Sequence, residues 1–526
     1  MKKMRGQLVL VFAVIITVVL LLPSKSFAYI SQFNSPATVA VGQIDFVSKV
    51  GNQEGSAGAN TLNGPFSPFS DGTKLFVADY FNSRVLIYNT IPTTNNTQAD
   101  VVIGQPDFSS VDANQGGSVA ANTLNQPTHV YSDGTKLFIT DYVNSRILIY
   151  NTIPTTNNAS ADVVVGQADM TSGDRDRGVG QPTAAANGLD WPREAYSDGT
   201  KLYVADPGNH RSLIYNTVPT SNGASADVAI GQSDLTSYSQ NNGLGGLNSA
   251  ANSLSQPYGI FANDGKLFIS DYGNNRVLIF NSIPTSHNAS ADVVIGQPNM
   301  TVNETNQGGV AGANTLGVPE STHSDGTRLF VSDTINNRVL IYNTIPTTNN
   351  ASADAVIGQP DFSSGAVNQG GVPSARTIYS SRGAFLVGTK LIIAESGNHR
   401  MLIRDVSPGI TVSSTAGVGP ISINWGEEST MLRRVTLMLK AEGAKEMMIS
   451  NNPDFSGASW ETYVVERLWD LSDGNSIKTV YIKFRDFALF ESATYSDYIE
   501  LPSLPETGGT VRNIWSTIFN LIRLIF

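Results

Sequence analysis

The stretch ADYFNSRVLIYNTIPTTNN at residues 78–96 returns almost unchanged at 140–158 as TDYVNSRILIYNTIPTTNN, and weaker copies follow it. Each copy carries an acidic residue, then Asn three positions later and Arg two positions after that. The pattern occurs six times, and its arginines are 62, 65, 65, 62 and 62 residues apart. A nearly fixed period predicts a repeat architecture. The six acid and arginine pairs are Asp79/Arg84, Asp141/Arg146, Asp206/Arg211, Asp271/Arg276, Asp333/Arg338 and Glu395/Arg400.

Each copy contains four short segments with the composition of β-strands. In the second copy they cover residues 127–131, 136–140, 146–150 and 161–166, separated by polar turns such as Ser132-Asp133-Gly134. The third segment is a continuous apolar run, as expected of a strand that is buried on both faces. Four strands per repeat predict the blades of a β-propeller.

The two ends of the repeat region predict how the ring closes. Residues 38–47, TVAVGQIDFV, match the fourth-strand segment ADVVIGQPDF at 99–108, but no earlier strands precede them. The sixth copy stops near Val406 without such a segment. We therefore predict an all-β, six-bladed β-propeller over residues 37–407, in which an N-terminal strand completes the last blade and leaves no open edge.

The hairpins resemble NHL repeats, on the evidence of LFVADYFNSRVLIYN (75–89), LFISDYGNNRVLIFN (267–281) and LIIAESGNHRMLIRD (391–405). The resemblance covers all six units. The units here are longer than usual for that family, because they carry extra loops such as SSVDANQGGSVAANT (109–123). We interpret the six acid and arginine pairs as ion pairs that stabilise each hairpin rather than as functional charges, because identical pairs suit identical structural roles.

The residues at the start of each first strand differ between copies, unlike the hairpins. Propellers of the family that this chain resembles place ligand sites there, at one mouth of the channel. The resulting hypothesis is a mixed-charge, aromatic pocket, and its alternative is ordinary variation at solvated strand ends. The candidate ligand-binding residues are Trp191, Arg193, Glu194, Tyr258, Glu320, His323 and Arg382.

An enzyme is the alternative function. Some NHL-like propellers are lyases or lactonases that hold a divalent metal in the channel with His or carboxylate ligands. The histidine positions here do not form an evident ligand set, and the NQGG loops lack the aspartate spacing of a calcium loop. We therefore predict no catalytic residue, metal ligand or cofactor, and favour binding over catalysis. The five histidines are His129, His210, His287, His323 and His399.

The N-terminus predicts export. Residues 1–28 combine a basic start, an apolar run and the small residues Ser26 and Ala28, which is typical of a signal peptide cleaved after Ala28; an uncleaved membrane anchor is the alternative. The chain has no cysteine, which excludes disulfides and thiolate metal sites, and its net charge of −11 argues against a nucleic-acid partner.

The C-terminal part predicts attachment to the cell surface. Residues 408–501 have short alternating strands typical of a β-sandwich, and resemble Ig-like or fibronectin-type modules of bacterial surface proteins. Residues 502–526 hold a motif that resembles the LPxTG signal of sortase substrates, which implies sortase and cell-wall peptidoglycan as partners. The apolar tail after it is short, so membrane association is the alternative to wall anchoring. The motif residues are Leu504, Pro505, Glu506, Thr507 and Gly508.

These features together predict an exported cell-surface protein that binds a protein, glycan or envelope ligand at a propeller face. An extracellular metal-dependent lyase or lactonase with its site at the channel mouth is the alternative.

Overall fold

A computed structural model of the chain describes residues 36–179, 184–244, 248–406, 420–441, 444–485 and 491–502. The contacts divide the chain into two compact units, Met1–Ser407 and Pro408–Phe526. The described residues contain strands, turns and short 3₁₀ segments, which confirms the all-β prediction. The predicted signal peptide and the sortase motif lie outside the described residues.

The described residues of the first unit form six four-stranded antiparallel sheets, the blades. The first strands are β2 (Pro65–Ser70), β6 (Pro127–Ser132), β10 (Glu194–Ser197), β14 (Pro257–Asn263), β18 (Pro319–Ser324) and β22 (Ser381–Val387). The second strands are β3 (Leu75–Asp79), β7 (Leu137–Asp141), β11 (Leu202–Asp206), β15 (Lys266–Asp271), β19 (Leu329–Asp333) and β23 (Lys390–Glu395). The third strands are β4 (Arg84–Tyr88), β8 (Arg146–Tyr150), β12 (Arg211–Tyr215), β16 (Arg276–Phe280), β20 (Arg338–Tyr342) and β24 (Arg400–Asp405). The fourth strands are β5 (Val101–Ile103), β9 (Val163–Val165), β13 (Val228–Ile230), β17 (Val293–Ile295), β21 (Ala355–Ile357) and, for the sixth blade, β1 (Val39–Val41).

The blades form a closed ring. The first strand of each blade contacts the first strand of the next, and β22 of the sixth blade contacts β2 of the first. Strand β1 pairs antiparallel with β24, with Val39 opposite Ile403 and Val41 opposite Met401. The predicted six-bladed propeller, closed by its N-terminal strand, is therefore confirmed.

The apolar core lies between neighbouring blades. Side chains of the first blade such as Ile87 pack in one cluster with Ile139 and Leu148 of the second blade, and all three are buried. The third strands are buried along almost their whole length, because each of their faces meets a neighbouring sheet. Each such aliphatic side chain contributes about 1.5–3 kcal/mol through its burial.

The hairpin acids and arginines form buried ion pairs that also tie loops to the blade. In the second blade, Arg146 Nε lies 2.7 Å from Asp141 Oδ2, and both side chains are fully buried. The Arg146 Nη2 group donates to the carbonyls of Ala120 and Thr123, both at 2.9 Å. Burial raises the pKa of Asp141, and the guanidinium of Arg146 opposes that rise. The same acid and arginine arrangement occurs in all six blades.

The long NQGG loops connect neighbouring segments through side-chain amides. Gln115 Nε2 donates to the Asn122 carbonyl at 2.9 Å and to Asn158 Oδ1 at 2.7 Å. Asn114 and Asn144 exchange two hydrogen bonds, each from the Nδ2 of one residue to the Oδ1 of the other, at 3.2 and 2.8 Å. These loops therefore have a structural role, which explains why the repeats are longer than their hairpins require.

A glycine follows each fourth strand for a steric reason. Gly104 has a φ of +88°, and a Cβ atom placed there would lie 2.5 Å from Leu124 Cδ1. No other residue fits both this backbone and this contact. The following residue, Gln105, donates from Nε2 to the carbonyls of Ser83 and Asp112. The end of the fourth strand is thereby hydrogen-bonded to the hairpin turn and to the long loop.

In the second unit, the part of the chain that the structure describes forms two small antiparallel sheets. Their orders are β25-β26-β29 and β28-β27-β30-β31, and alternating buried residues such as Leu437 and Ile482 form one shared core. This arrangement is that of a β-sandwich. The strands are β25 (Ile421–Ile423), β26 (Arg434–Leu439), β27 (Glu446–Ser450), β28 (Glu461–Thr462), β29 (Glu466–Asp470), β30 (Ile477–Arg485) and β31 (Tyr495–Glu500).

Candidate functional site at the channel mouth

The residues that differ between the first strands meet in one small pocket at a mouth of the channel. A β-bulge near the start of these strands explains their position: Tyr258, Glu320 and Arg382 each fall in the register shift and have no partner in the ladder. A bulge redirects the side chain of its extra residue. The pocket has a volume of about 250 Å³, part of it open to solvent, and its lining residues are Phe66, Ser67, Thr128, His129, Arg193, Glu194, Tyr258, Glu320, Ser321 and Arg382.

Two charged residues from neighbouring blades pair across the pocket. Arg382 Nη1 donates to Glu320 Oε1, and Glu320 is almost fully buried. Burial, together with the nearby positive charge of Arg193, lowers the pKa of Arg382 to about 10. The mouth therefore holds two arginines close to each other, of which Arg382 has a carboxylate partner.

Arg193 is surrounded by aromatic rings. Its guanidinium carbon lies 4.5 Å from the ring centre of Tyr142, 4.4 Å from that of Tyr258 and 5.5 Å from that of Phe66. All three distances are within the range of a cation–π interaction. The Nε and Nη1 atoms of Arg193 are buried and have no hydrogen-bond partner.

A histidine and a glutamate form the next pair inside the mouth. His129 Nε2 lies 3.2 Å from Glu194 Oε1, and both side chains are more than nine-tenths buried. Glu194 Oε2 also accepts a hydrogen bond from the backbone N–H of Ile260 at 3.0 Å. The carboxylate therefore bridges three blades, and His129 Nδ1 is left buried without a hydrogen bond.

A closed ring of six aromatic side chains lies deeper in the channel. Successive ring centres, one from each blade, are 4.2–5.0 Å apart. Only one member is not Phe or Tyr: His323, which lies between Phe261 and Phe385. Burial lowers the pKa of His323 to about 4, so its imidazole is neutral at neutral pH. The ring consists of Phe69, Tyr131, Tyr196, Phe261, His323 and Phe385.

The structure brings most of the predicted site residues together. Five of the seven candidates line the mouth pocket: Arg193, Glu194, Tyr258, Glu320 and Arg382. The other two lie elsewhere. His323 is in the aromatic ring below the pocket. Trp191 lies outside the pocket, is 39% exposed, and contacts Arg175 and Tyr142 through its ring.

Several mouth residues were not among the predicted candidates. His129 and Phe66 line the pocket, and Tyr80, Tyr142 and Tyr272 contact its residues from the hairpin turns. A signal for the tyrosines was present in the sequence. Each directly follows the hairpin acid in its blade, whereas the other three blades have Pro, Thr or Ser at this position.

The side chains at the mouth can make ion pairs, hydrogen bonds and cation–π contacts. Within the described residues, no three histidine or carboxylate side chains are grouped so that they could hold a metal ion. The same part of the chain contains no helix of the length and hydropathy needed to cross a membrane. The protein is thus a six-bladed β-propeller with a mixed-charge, aromatic channel mouth.

Comparison with known proteins gives similarity of fold only. No family model matches the chain, and no curated protein matches it. Among solved structures, the chain resembles the propeller of virginiamycin B lyase from Staphylococcus aureus, with 12% identity, a TM-score of 0.30, and coverage of 66% of this chain and 97% of that one.

Two further solved structures are similar to the same limited degree. The PQQ-bound aldose sugar dehydrogenase from Streptomyces coelicolor shares 11% identity with a TM-score of 0.35, covering 70% of this chain and 99% of that one. A chain of a nidogen/laminin complex shares 13% identity with a TM-score of 0.29, covering 56% of this chain and 85% of that one.

Proposed function

We propose that this protein is an exported, surface-attached binding protein that contacts its ligand at the channel mouth lined by Arg193, Tyr258, Glu320 and Arg382. The observation that carries the proposal is the contrast between shared and unshared residues. The residues that all six blades share, such as Asp141 and Arg146, are fully buried and paired with each other. The residues that differ meet in one pocket that opens to solvent, where they combine charge with aromatic surface.

Surface attachment is supported by the sequence motifs. The first 28 residues have the features of a signal peptide, the hairpins resemble NHL repeats, and the second unit resembles an Ig-like module. The LPETG motif at residues 504–508 resembles a sortase signal, so peptidoglycan is the proposed attachment point. In cells with a sortase, a Thr507→Ala variant should leave the wall fraction; a variant that stays covalently in that fraction would count against this proposal.

The binding proposal is tested by reversing the charges at the mouth. A variant with Arg193→Glu and Glu320→Arg should lose capture from a panel of immobilised glycans and envelope proteins that the unaltered protein binds. The matched control reverses an exposed ion pair of the second unit, with Arg434→Glu and Asp470→Arg. If the mouth variant retains all binding, the proposed binding face is wrong.

A lyase or lactonase, metal-dependent in the family that the chain resembles, is the second candidate, and the pair of His129 and Glu194 supports proton transfer at the mouth. A buried histidine oriented by a carboxylate is a common arrangement for proton transfer. Elemental analysis of the purified protein and of a His129→Gln variant tests the metal requirement. A metal content near zero in both proteins would remove this candidate in its metal-dependent form.

A further inference from the structure

The two carboxylates of the mouth pocket already have partners. Glu320 pairs with Arg382, and Glu194 interacts with His129 and with the backbone N–H of Ile260. Arg193 has no ion pair among the described residues, although it lies near the positive charge of Arg382. The two arginines and two glutamates of the pocket balance in formal charge, but Arg193 is the one of these four residues that has no ion-pair partner in contact. A cation that is partly removed from water without a contacting counter-ion is unfavourable.

The surroundings of Arg193 leave its hydrogen-bond donors available to an anionic ligand. The aromatic rings stabilise the guanidinium by cation–π interaction over its face. They do not accept hydrogen bonds from its N–H groups as strongly as an oxyanion does. The Nε and Nη1 donors therefore stay unused. A hydrogen bond from Thr128 Oγ1 to the Arg193 carbonyl at 2.8 Å fixes the backbone that carries this side chain. The donors are thus held in place before a ligand arrives, which lowers the entropic cost of binding.

We propose that Arg193, with Arg382 beside it, binds the oxyanion group of an anionic ligand, a carboxylate or a phosphate, while Tyr258 and Phe66 contact the part that carries this group. The planar fork of an arginine matches the oxygen spacing of both groups. The pocket is narrow, because most of its lining residues, such as Phe66 and Glu320, are themselves buried, so the ligand inserts only a terminal group. This inference depends on the proposed function, because it names the chemistry that the same mouth recognises.

Calorimetric titration of the full chain with glucuronate, glucose 6-phosphate and glucose at neutral pH and 0.15 M salt tests the inference. The two anionic sugars, or one of them, should bind, and glucose should not; which of the two binds identifies the group as carboxylate or phosphate. Arg193→Gln should raise the Kd about tenfold or more, because a charged hydrogen bond is lost, and Arg193→Lys should raise it less. Arg434→Gln, with the same change in net charge on the second unit, should leave the Kd unchanged.

Two results would overturn the inference: no saturable binding of either anion by the unaltered protein, or an unchanged Kd in the folded Arg193→Gln variant, checked by its thermal unfolding. The capture panel separates this failure from that of the proposed function. If the Arg193→Glu, Glu320→Arg variant loses panel binding while neither anionic sugar binds, the mouth is a binding face but does not recognise an oxyanion.

Discussion

Asn209 donates a hydrogen bond from Nδ2 to Oδ1 of Asp176 at 2.7 Å, at the position where the second blade has the reciprocal pair Asn114 and Asn144. A carboxylate cannot return the hydrogen bond, and Asn209 Oδ1 is accordingly buried without a partner. Burial, together with the neighbouring charge of Asp206, raises the pKa of Asp176 to about 6, although the hydrogen bond from Asn209 opposes the rise. A protonated Asp176 would restore the reciprocal pair.

We expect Asp176→Asn to stabilise the propeller by about 1 kcal/mol at pH 8, because it restores a hydrogen bond to a buried acceptor. The pKa of Asp176 is higher in the folded than in the unfolded state, so its contribution to stability is lost as the pH rises from about 4 to about 6. The variant should remove this dependence in unfolding experiments across that range.

The reverse substitution in another blade is the matched control. Asn241 and Asn274 exchange hydrogen bonds at 3.1 and 2.7 Å. Asn241→Asp should therefore destabilise the protein at pH 8 and introduce the pH dependence that Asp176→Asn removes. If neither variant changes the pH profile, the carboxyl group of Asp176 does not titrate in this range.

Asp141→Ala should be strongly destabilising, by about 3–5 kcal/mol, because it leaves Arg146 buried without its partner. Asp470→Ala is the control, since it breaks an ion pair with Arg434 in which both side chains are mostly exposed. Its effect should be within about 1 kcal/mol. Thermal unfolding of the two variants measures the difference, and equal effects would contradict the structural role of the hairpin pairs.

The fold was predictable because the same sequence pattern occurs in every blade. Asp141 and Arg146 stand in a pattern that occurs six times, and the fourth-strand segment at the N-terminus has no other partner than the incomplete last blade. The candidate pocket was only partly predictable. Glu320 lines the mouth pocket, whereas His323 lies deeper, three residues further along the same strand. The β-bulge between Pro319 and Ser321, which sets the positions that face the channel, leaves no signal in the sequence.

Contacts between blades could not be predicted from one sequence. Tyr142 contacts Arg193 from a hairpin turn of the preceding blade, at 4.5 Å from the ring centre. This contact depends on how far the closed ring brings neighbouring blades together, which the repeat period does not specify. Trp191 was predicted as part of a loop that adjoins a strand entry, and it lies in the turn before β10 with a left-handed φ of 54°, outside the residues that line the pocket.

Removal of residues 36–43 should open the sixth blade. Val39 and Val41 are almost fully buried against β24, so the deletion should cost at least about 3 kcal/mol and expose the edge formed by Met401 and Ile403. Light scattering should show aggregation of the truncated chain. A synthetic peptide of residues 36–47 should suppress it by pairing with the free edge, and failure of both effects would contradict closure of the ring by this strand.

His323→Phe tests whether the aromatic ring is a purely structural layer of the channel. The imidazole has a lower pKa in the folded state than in the unfolded state because it is buried; Asp325 opposes this shift and Arg328 adds to it. The unfolded state therefore binds a proton more readily, and the histidine reduces stability as the pH falls from about 6.5 towards 4. Phenylalanine completes the ring without a titratable group, so the variant should be more stable at pH 5 and should lose this part of the pH dependence. The pH dependence that His323 causes is opposite in sign to that of Asp176, so the two groups can be separated in one unfolding series.

The same His323→Phe variant tests how deep the binding site extends. An unchanged Kd for the mouth ligand would place the ring outside the binding site, whereas a large change would show that the pocket extends to it.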